Sequence, residues 1–351
     1  MAARSQLARG VTLAAVAALL FGVTAPLLAR ASAGVGSLAA SCLLYLGASA
    51  GALCLLFVRA RRLNVGFLAG RALRVILVAG LGAVVAPALL VGGLRSSNAA
   101  TASLLLALEA PFTLILARGF LGEYLGRRVI LAAALIFAGG LLLGTRLSEG
   151  ARAVSATGAV LVVAAGLAWA MDNLLSRELA DGDPIAVVAA KGILGAGMSA
   201  ATAVLLGEAL PSAASAGALI AIGALGYGVS LQFYLRAQSL VGAARTASVF
   251  AAAPFIGAGA ALVLGAPWPG WRLPVAAVLM LAGIALHISE RHSHRHAHEP
   301  IEHDHLHSHD DGHHDHRHDP MPVGPHGHAH RHEPVSHEHA HSEDLHHRHR
   351  H

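Results

Sequence analysis

Four ionisable residues lie within or at the edge of long apolar stretches of this sequence: Glu109, Asp172, Lys191 and Arg245. A charged side chain in the middle of a membrane helix costs about 2.5–3.5 kcal/mol on insertion scales. A carboxylate in that setting can bind a proton or a cationic group, and a lysine or arginine can hold the carboxylate of a substrate. These residues are therefore candidates for a solute-binding cavity, although salt bridges that only fix helix packing would explain them equally well.

Sequence position predicts two pairs among these residues. Asp172 and Lys191 lie on consecutive helices of one repeat, which favours a place in the cavity or in a gate. Glu109 and Arg245 lie on equivalent helices of two repeats described below, so we expect them to meet near the axis that relates the repeats. Aromatic and polar residues of the same stretches more often pack or anchor at the membrane interface. The weaker candidates for substrate contact are Trp169, Tyr227, Gln232, Phe233 and Tyr234.

The C-terminal stretch EHDHLHSHDDGHHDHRHD, residues 302–319, carries a second kind of chemistry. Neutral imidazole beside carboxylate suits Zn²⁺, Ni²⁺, Co²⁺ and Cu²⁺. The spacing defines no single closed site, so we predict several weak, interchangeable sites. Their ligands are expected at His303, His305, His307, His309, His313, His314, His316 and His318. The sequence leaves open whether the metal is a regulator, a stored ion or the transported substrate, and it predicts no required cofactor.

The histidines belong to a segment unlike the rest of the chain. From residue 292 onward there are 23 of the 24 histidines, 11 acidic residues, five arginines and only nine apolar residues. Such a segment cannot bury enough surface to offset its ordering entropy. We predict a disordered, His/Asp-rich, metal-binding tail over residues 291–351.

The remainder of the chain has the composition of a membrane protein. Of 351 residues, 55% are hydrophobic and 13% are charged, whereas about a quarter of the residues of a soluble domain are charged. A membrane helix needs about 20 apolar residues. Ten stretches meet that need, and their lack of a polar face argues against a soluble bundle. They are residues 9–29, 37–58, 73–94, 98–117, 128–145, 156–176, 185–206, 215–235, 243–264 and 272–289.

Arginine placement predicts the orientation. With the N-terminus inside, the cytoplasmic segments hold 12 arginines and the opposite loops hold five, as the positive-inside rule favours. We expect the protein to lie in the inner (plasma) membrane of the cell. Because the number of spans is even, both termini and the histidine tail are then in the cytoplasm.

The apolar part repeats itself. TASLLLALEAPF (101–112) resembles TASVFAAAPF (246–255), and placing Pro111 on Pro254 gives an offset of 143 residues. We therefore predict two five-helix repeats, at residues 1–147 and 148–290. An odd number of helices per repeat inverts the second copy in the membrane, which is a recurring plan of secondary carriers.

These residues resemble a known family. NAATASLLLALEAPFTLILARGFLGEYLGRRVILAAALIFAGGLLLG (98–144) and LVGAARTASVFAAAPF (240–255) resemble EamA repeats of the drug/metabolite transporter superfamily. The resemblance implies a carrier of small metabolites, often an exporter of amino acids, their derivatives or toxic organic cations. The second repeat departs from the pattern, because Ala252 stands at the position equivalent to Glu109, two residues before Pro254.

The leading hypothesis is a secondary transporter that moves a small organic metabolite or drug-like solute outward by alternating access, with a metal-responsive tail. Two alternatives stay open: a divalent transition-metal (Ni/Co/Zn) exporter or permease, and a membrane-anchored metal-binding protein without transport. The expected partners are the solute, membrane lipid and divalent metal ions, and a homodimer is left open. An enzyme and a nucleic-acid-binding protein are disfavoured, since no nucleotide-binding loop, hydrolase motif or basic stripe with aromatics is found.

Overall fold

The structure is a computed structural model of the chain. It describes residues 2–58, 66–122, 125–144, 155–176, 179, 183–209, 211–241, 243–288, 292–297, 302–307, 326–331 and 336–341. The chain divides into two compact units, Met1–Glu290 and Arg291–Arg350.

Over its described residues the first unit contains ten apolar helices, several of them built from consecutive segments. In the first repeat they are α1 (Ala2–Gly22 and Thr24–Ala31), α2 (Ser37–Val58), α3 (Ala72–Ala79, Gly80–Val85 and Ala86–Leu94), α4 (Ala99–Leu105, Leu106–Leu108, Glu109–Leu116 and Ala117–Leu121) and α5 (Arg127–Gly144). In the second they are α6 (Ala156–Ser176), α7 (Pro184–Leu205), α8 (Ala213–Ile222, Gly223–Val229 and Ser230–Val241), α9 (Ala243–Phe250 and Ala253–Val263) and α10 (Arg272–Ile288). A single helical turn, Gly66–Ala69, precedes α3.

Within the described part of the chain, nine of these helices are long and apolar enough to cross a membrane, and α10 is a shorter apolar helix of 17 residues. Each of the ten stretches predicted from the sequence coincides with one helix. The prediction of an all-α membrane protein with ten helices in two inverted repeats is confirmed.

Prolines interrupt three of the helices. α1 has a turn at Val23, three residues before Pro26, and α4 narrows to a 3₁₀ turn at Leu106–Leu108, just before Pro111. α9 has a two-residue turn immediately before its second segment, in which Pro254 is the second residue. Proline has no N–H and its ring clashes with the carbonyl four residues back, so the regular helix cannot continue through it.

The third helix of each repeat contains a π-helical segment, which the sequence analysis did not predict. The segments are Gly80–Val85 in α3 and Gly223–Val229 in α8. Their first residues are 143 positions apart, which is the offset of the sequence repeat. π segments are rare and occur frequently at functional sites.

Glycines let the two repeats approach closely along α2 and α8. A Cβ at Gly223 would overlap the backbone carbonyl of Leu44, and one at Gly51 would lie 2.6 Å from the carbonyl oxygen of Ala224. In lipid there is little hydrophobic force between helices, so such close backbone packing stabilises their association.

The second unit contains four short strands: β1 (His292–Ala297), β2 (Glu302–His307), β3 (His326–Arg331) and β4 (Ser336–His341). β1 pairs with β4 and β2 pairs with β3, both antiparallel. These 24 residues form paired strands where their composition predicts disorder. Histidine recurs at every second position of each strand, which matches the two-residue period of a strand.

Candidate substrate-binding site

An ion pair between α6 and α7 forms the centre of the candidate site. Lys191 Nζ donates a hydrogen bond to Asp172 Oδ2, and Ser176 Oγ lies 3.3 Å from the other oxygen, Oδ1. The side chain of Asp172 is 3% exposed and that of Lys191 is 18% exposed. The structure thus brings together the first of the two pairs expected from the sequence.

Gly82, in the π segment of α3, lies directly against this ion pair. A Cβ built on Gly82 would overlap the carboxylate of Asp172 and would lie 2.6 Å from Lys191 Nζ. The backbone of α3 therefore forms one wall of the site, and only a residue without a side chain fits there.

The carbonyl of Gly82 can accept hydrogen bonds from side chains because the residue five positions later cannot donate to it. In the π segment Ala86 N–H donates to the carbonyl of Leu81, five residues back. The corresponding donor for Gly82 would be residue 87, which is Pro87 and has no N–H. The carbonyl instead accepts hydrogen bonds from Trp169 Nε1, at 3.0 Å, and from the hydroxyl of Tyr45.

The second repeat lacks this arrangement. At the position equivalent to Pro87, α8 has Ser230, whose N–H donates to the carbonyl of Leu225. The carbonyl of Leu225, which is equivalent to that of Gly82, therefore accepts a hydrogen bond from its own helix. The two repeats share a helix geometry, but only α3 offers a free carbonyl to side chains of other helices in this way.

Aromatic rings continue the site from α3 towards α8. The ring of Tyr227 lies 5.6 Å from that of Tyr45, 6.4 Å from that of Trp169 and 5.8 Å from that of Phe21, centroid to centroid. Four helices thus contribute rings to one cluster, and Trp169 and Tyr227, both predicted from the sequence, belong to it. Aromatic faces attract cations as well as apolar groups.

Glu109 lies beside this cluster and accepts a hydrogen bond from a side chain of α6. Asn173 Nδ2 donates to Glu109 Oε1 over 2.7 Å, and Asn173 directly follows Asp172 on α6. Glu109 is half-buried and Asn173 is exposed, so this contact is more accessible than the ion pair. The segment that carries Arg245 packs on α1 and α8, and the side chain of Arg245 lies outside the described part of the structure.

A small apolar pocket adjoins Tyr227. Its cavity volume is about 20 Å³, close to the space that one water molecule needs. A solute larger than water therefore requires the helices around the pocket to separate. The pocket is lined by Phe21, Gly22, Thr24, Ala25, Leu90, Ser103, Leu106, Tyr227, Ala253 and Pro254.

The other aromatic and polar candidates lie in the last segment of α8, Ser230–Val241. The ring of Tyr234 packs on Phe250 at 4.9 Å, and Gln232 is buried with its side-chain nitrogen unpaired among the described atoms. Phe233 is half-buried in the same segment. Conversely, sequence reasoning missed Gly82 and Tyr45. The only local signal for Gly82 was a proline five residues downstream of a glycine.

The predicted metal ligands fall in two parts of the tail. His303, His305 and His307 lie in β2, whereas His309, His313, His314, His316 and His318 lie outside the described residues. Among the side chains that the structure describes, all of which lie before residue 288, no three or more His, Cys, Asp or Glu are grouped so as to hold a metal ion.

Known proteins share this architecture. The profile of the EamA-like transporter family matches residues 8–145 and again residues 156–289. An uncharacterized transporter of Methanothermobacter thermautotrophicus is 36% identical over 107 residues, which are 30% of this chain and 31% of that protein. The match thus spans about a third of that relative's length.

A solved crystal structure, described only as that of a protein, has the same fold. It matches with a TM-score of 0.57 and 19% identity, over 81% of this chain and 95% of that chain. The two profile matches, on two sets of five apolar helices, cover most of the residues before the tail. The chain is a multi-pass membrane protein that belongs to the EamA-like transporter family.

Proposed function

We propose that this protein is a secondary carrier of a small organic solute, which it moves outward across the inner membrane by alternating access. Both termini are cytoplasmic in this proposal. The substrate contacts are Glu109, Trp169, Asp172, Lys191 and Tyr227, and Arg245 is kept as a further candidate. The observation that carries the proposal is the buried Asp172–Lys191 pair held against Gly82.

Energetics support a functional role for the pair. Replacing a buried ion pair by apolar residues of similar size is often neutral or stabilising, by about 1–4 kcal/mol. An ion pair is therefore a poor means of holding α6 and α7 together. A charged or zwitterionic solute, in contrast, can exchange its own ammonium or carboxylate group for one member of the pair. The adjoining rings and apolar pocket suit the less polar part of such a solute.

Symmetry supports the alternating-access mechanism. The two repeats have opposite topology and carry π segments at equivalent positions, so each can adopt the arrangement of the other with a similar energy. The cavity beside Tyr227 holds little more than a water molecule. Opening at either end must therefore accompany entry and release of the solute.

The test uses the full chain in proteoliposomes loaded with labelled amino acids or with tetraphenylphosphonium. We expect the wild-type protein to release at least one probe faster than empty liposomes. The double variant Asp172→Asn/Lys191→Met should lose this release, while Gly217→Ala, at a position with open space around it, should keep it. Equal release by the double variant and the wild type would remove these two residues from the site.

We also propose that the tail binds divalent transition-metal ions and that this binding modulates transport. The support is the strand register. His292, His294 and His296 of β1 are the direct partners of His341, His339 and His337 of β4, respectively. In β2 and β3 the partners are His303 with His330, His305 with His328 and His307 with His326.

This register matters because directly opposed residues of an antiparallel pair have Cβ atoms about 4.5–5.5 Å apart, and alternate residues share a face. Each strand pair therefore places six histidine positions on one face. Imidazole is a ligand for zinc, nickel, cobalt and copper. If transport of these ions, rather than of an organic solute, is found in the proteoliposomes, the carrier is a metal exporter or permease.

A further inference from the structure

The loops after α1, α3, α5, α7 and α9 lie at one end of the helix bundle, because each helix crosses the membrane once. We call this end the latch end. Its described residues are 32–36, 95–98, 155, 206–209, 211–212 and 264–271. Several hydrogen bonds there join one repeat to the other.

Glu208, in the loop after α7, caps the beginning of α2 in the opposite repeat. Its carboxylate accepts hydrogen bonds from Ala39 N–H at 2.8 Å and from Leu38 N–H at 3.3 Å. The first N–H groups of a helix have no partner within the helix, and the helix dipole favours a negative charge there. A Cβ at Gly36 would overlap this carboxylate, so the contact requires glycine at that position.

Arg30, at the end of α1, makes the complementary contact. Its guanidinium donates to the carbonyl of Leu264, at the C-terminus of α9 in the opposite repeat. The last carbonyls of a helix also lack partners, and a positive charge is favoured there. One repeat thus supplies the acid and the other the base, each at the helix end that its charge stabilises.

Two further hydrogen bonds join the repeats at the same end. Asn98 Nδ2 donates to the carbonyl of Pro267 at 2.7 Å, and Ser155 N–H donates to the carbonyl of Ser96 at 3.1 Å. All of these groups are at loops or helix ends, where water can replace a lost partner. The contacts can therefore break and re-form without leaving a buried polar group unpaired.

We infer that these contacts form the gate at the latch end, and that Glu208 and Arg30 are its principal residues. The inference rests on the proposed alternating-access mechanism. Opening this end moves the repeats apart and exchanges the four contacts for water. Closing it restores the helix caps, which biases the carrier towards the conformation that is shut at this end.

The experiment measures accessibility rather than transport, so its outcome does not depend on the identity of the solute. Ser103 lines the pocket and is 1% exposed, and Ser103→Cys is nearly isosteric. In full-length protein with Cys42 and Cys54 replaced by alanine, the labelling rate of this cysteine is measured with a membrane-impermeant maleimide added at the latch end. Glu208→Ala and Gly36→Ala remove the same contact from opposite sides.

We expect both variants to speed labelling about 2- to 30-fold, because the free energy lost with a helix cap changes the opening equilibrium by a factor of that size. Two matched controls should label at the parent rate. Gly217→Ala adds the same methyl group where there is open space, and Glu149→Ala removes an acid from the stretch of sequence between α5 and α6.

Unchanged labelling in both Glu208→Ala and Gly36→Ala would overturn the inference, and so would equal acceleration by Glu149→Ala, which would indicate a general charge effect. If Glu208→Ala does not fold, as judged by size-exclusion chromatography, Gly36→Ala and Arg30→Gln carry the test. Faster labelling without any transport of the probes would support the gate while contradicting the proposed function.

Discussion

Gly82 of α3 lies directly against the carboxylate of Asp172, so that the backbone of one helix closes the side of an ion pair formed by two others. The same glycine offers its carbonyl to Trp169 and Tyr45, because Pro87 cannot bond to it. A short segment of α3 in this way positions a carboxylate, an ammonium group and two aromatic side chains. This relationship gives the site its testable properties.

Substitutions of Asp172 and Lys191 should have strongly non-additive effects on the free energy of unfolding. Lys191→Met alone leaves a buried carboxylate without its cation, and we expect a loss of about 3–5 kcal/mol of stability. The double variant Asp172→Asn/Lys191→Met should recover most of this stability yet stay inactive in transport. Thermal unfolding in detergent and proteoliposome release measure the two effects. Restored transport in the double variant would indicate that the pair only supports helix packing.

Two glycines of the same π segment should respond differently to alanine. Gly82→Ala introduces a methyl group that overlaps the Asp172 carboxylate, whereas Gly80→Ala meets only the end of Met198 at an ordinary 3.5 Å. We expect Gly82→Ala to cost about 1–3 kcal/mol through overpacking, with loss of transport. Gly80→Ala should be neutral or slightly stabilising. Similar unfolding temperatures and release rates for the two variants would contradict the proposed geometry.

Replacing Pro87 should disturb Trp169 and Tyr45 without touching either residue. In Pro87→Ala the new N–H can donate to the carbonyl of Gly82 and compete with both side chains. We expect a shift in the fluorescence of Trp169 and a slower release rate. The measurement uses protein in which Trp268 and Trp271, both exposed, are replaced by phenylalanine. Pro267→Ala, in the loop before α10, provides the matched control and should leave the fluorescence unchanged.

Zinc binding by the tail should follow the strand register rather than the number of histidines. Replacing His337, His339 and His341 by asparagine removes one side of the β1–β4 pairs. We expect this to remove roughly half of the tightly bound zinc, since imidazole supplies the ligands. Calorimetric titration of the full-length protein with zinc measures the change. Affinity should also fall below about pH 6.5, where imidazole becomes protonated.

The control for the tail removes the same number of histidines elsewhere. His346, His347 and His349 lie beyond β4, and their replacement by asparagine should leave the tight zinc binding nearly intact. An equal loss in both triple variants would mean that binding depends on histidine content alone. Deleting residues 292–351 should abolish zinc binding and leave organic solute release measurable.

Local sequence properties predicted the helices and also explain their interruptions. Apolar length marks a membrane helix, because an unpaired backbone group in lipid is costly wherever it lies. Proline interrupts a helix through its own ring and missing N–H, which explains why Pro26, Pro111 and Pro254 coincide with irregular turns. The repeat offset of 143 also recurs in the two π segments, although the segments themselves were not predicted.

The sequence by itself determined the ten apolar helices, their division into two opposed halves and the presence of charges within them, since each of these follows from residue type and spacing along one chain. Only the tertiary structure decided that Glu109 bonds to Asn173, that Gly82 lies against Asp172 and that Glu208 caps a helix of the other repeat. A helix that is apolar all round carries no marked face. The choice of neighbours is therefore made by close packing between helices, which no single stretch of sequence contains.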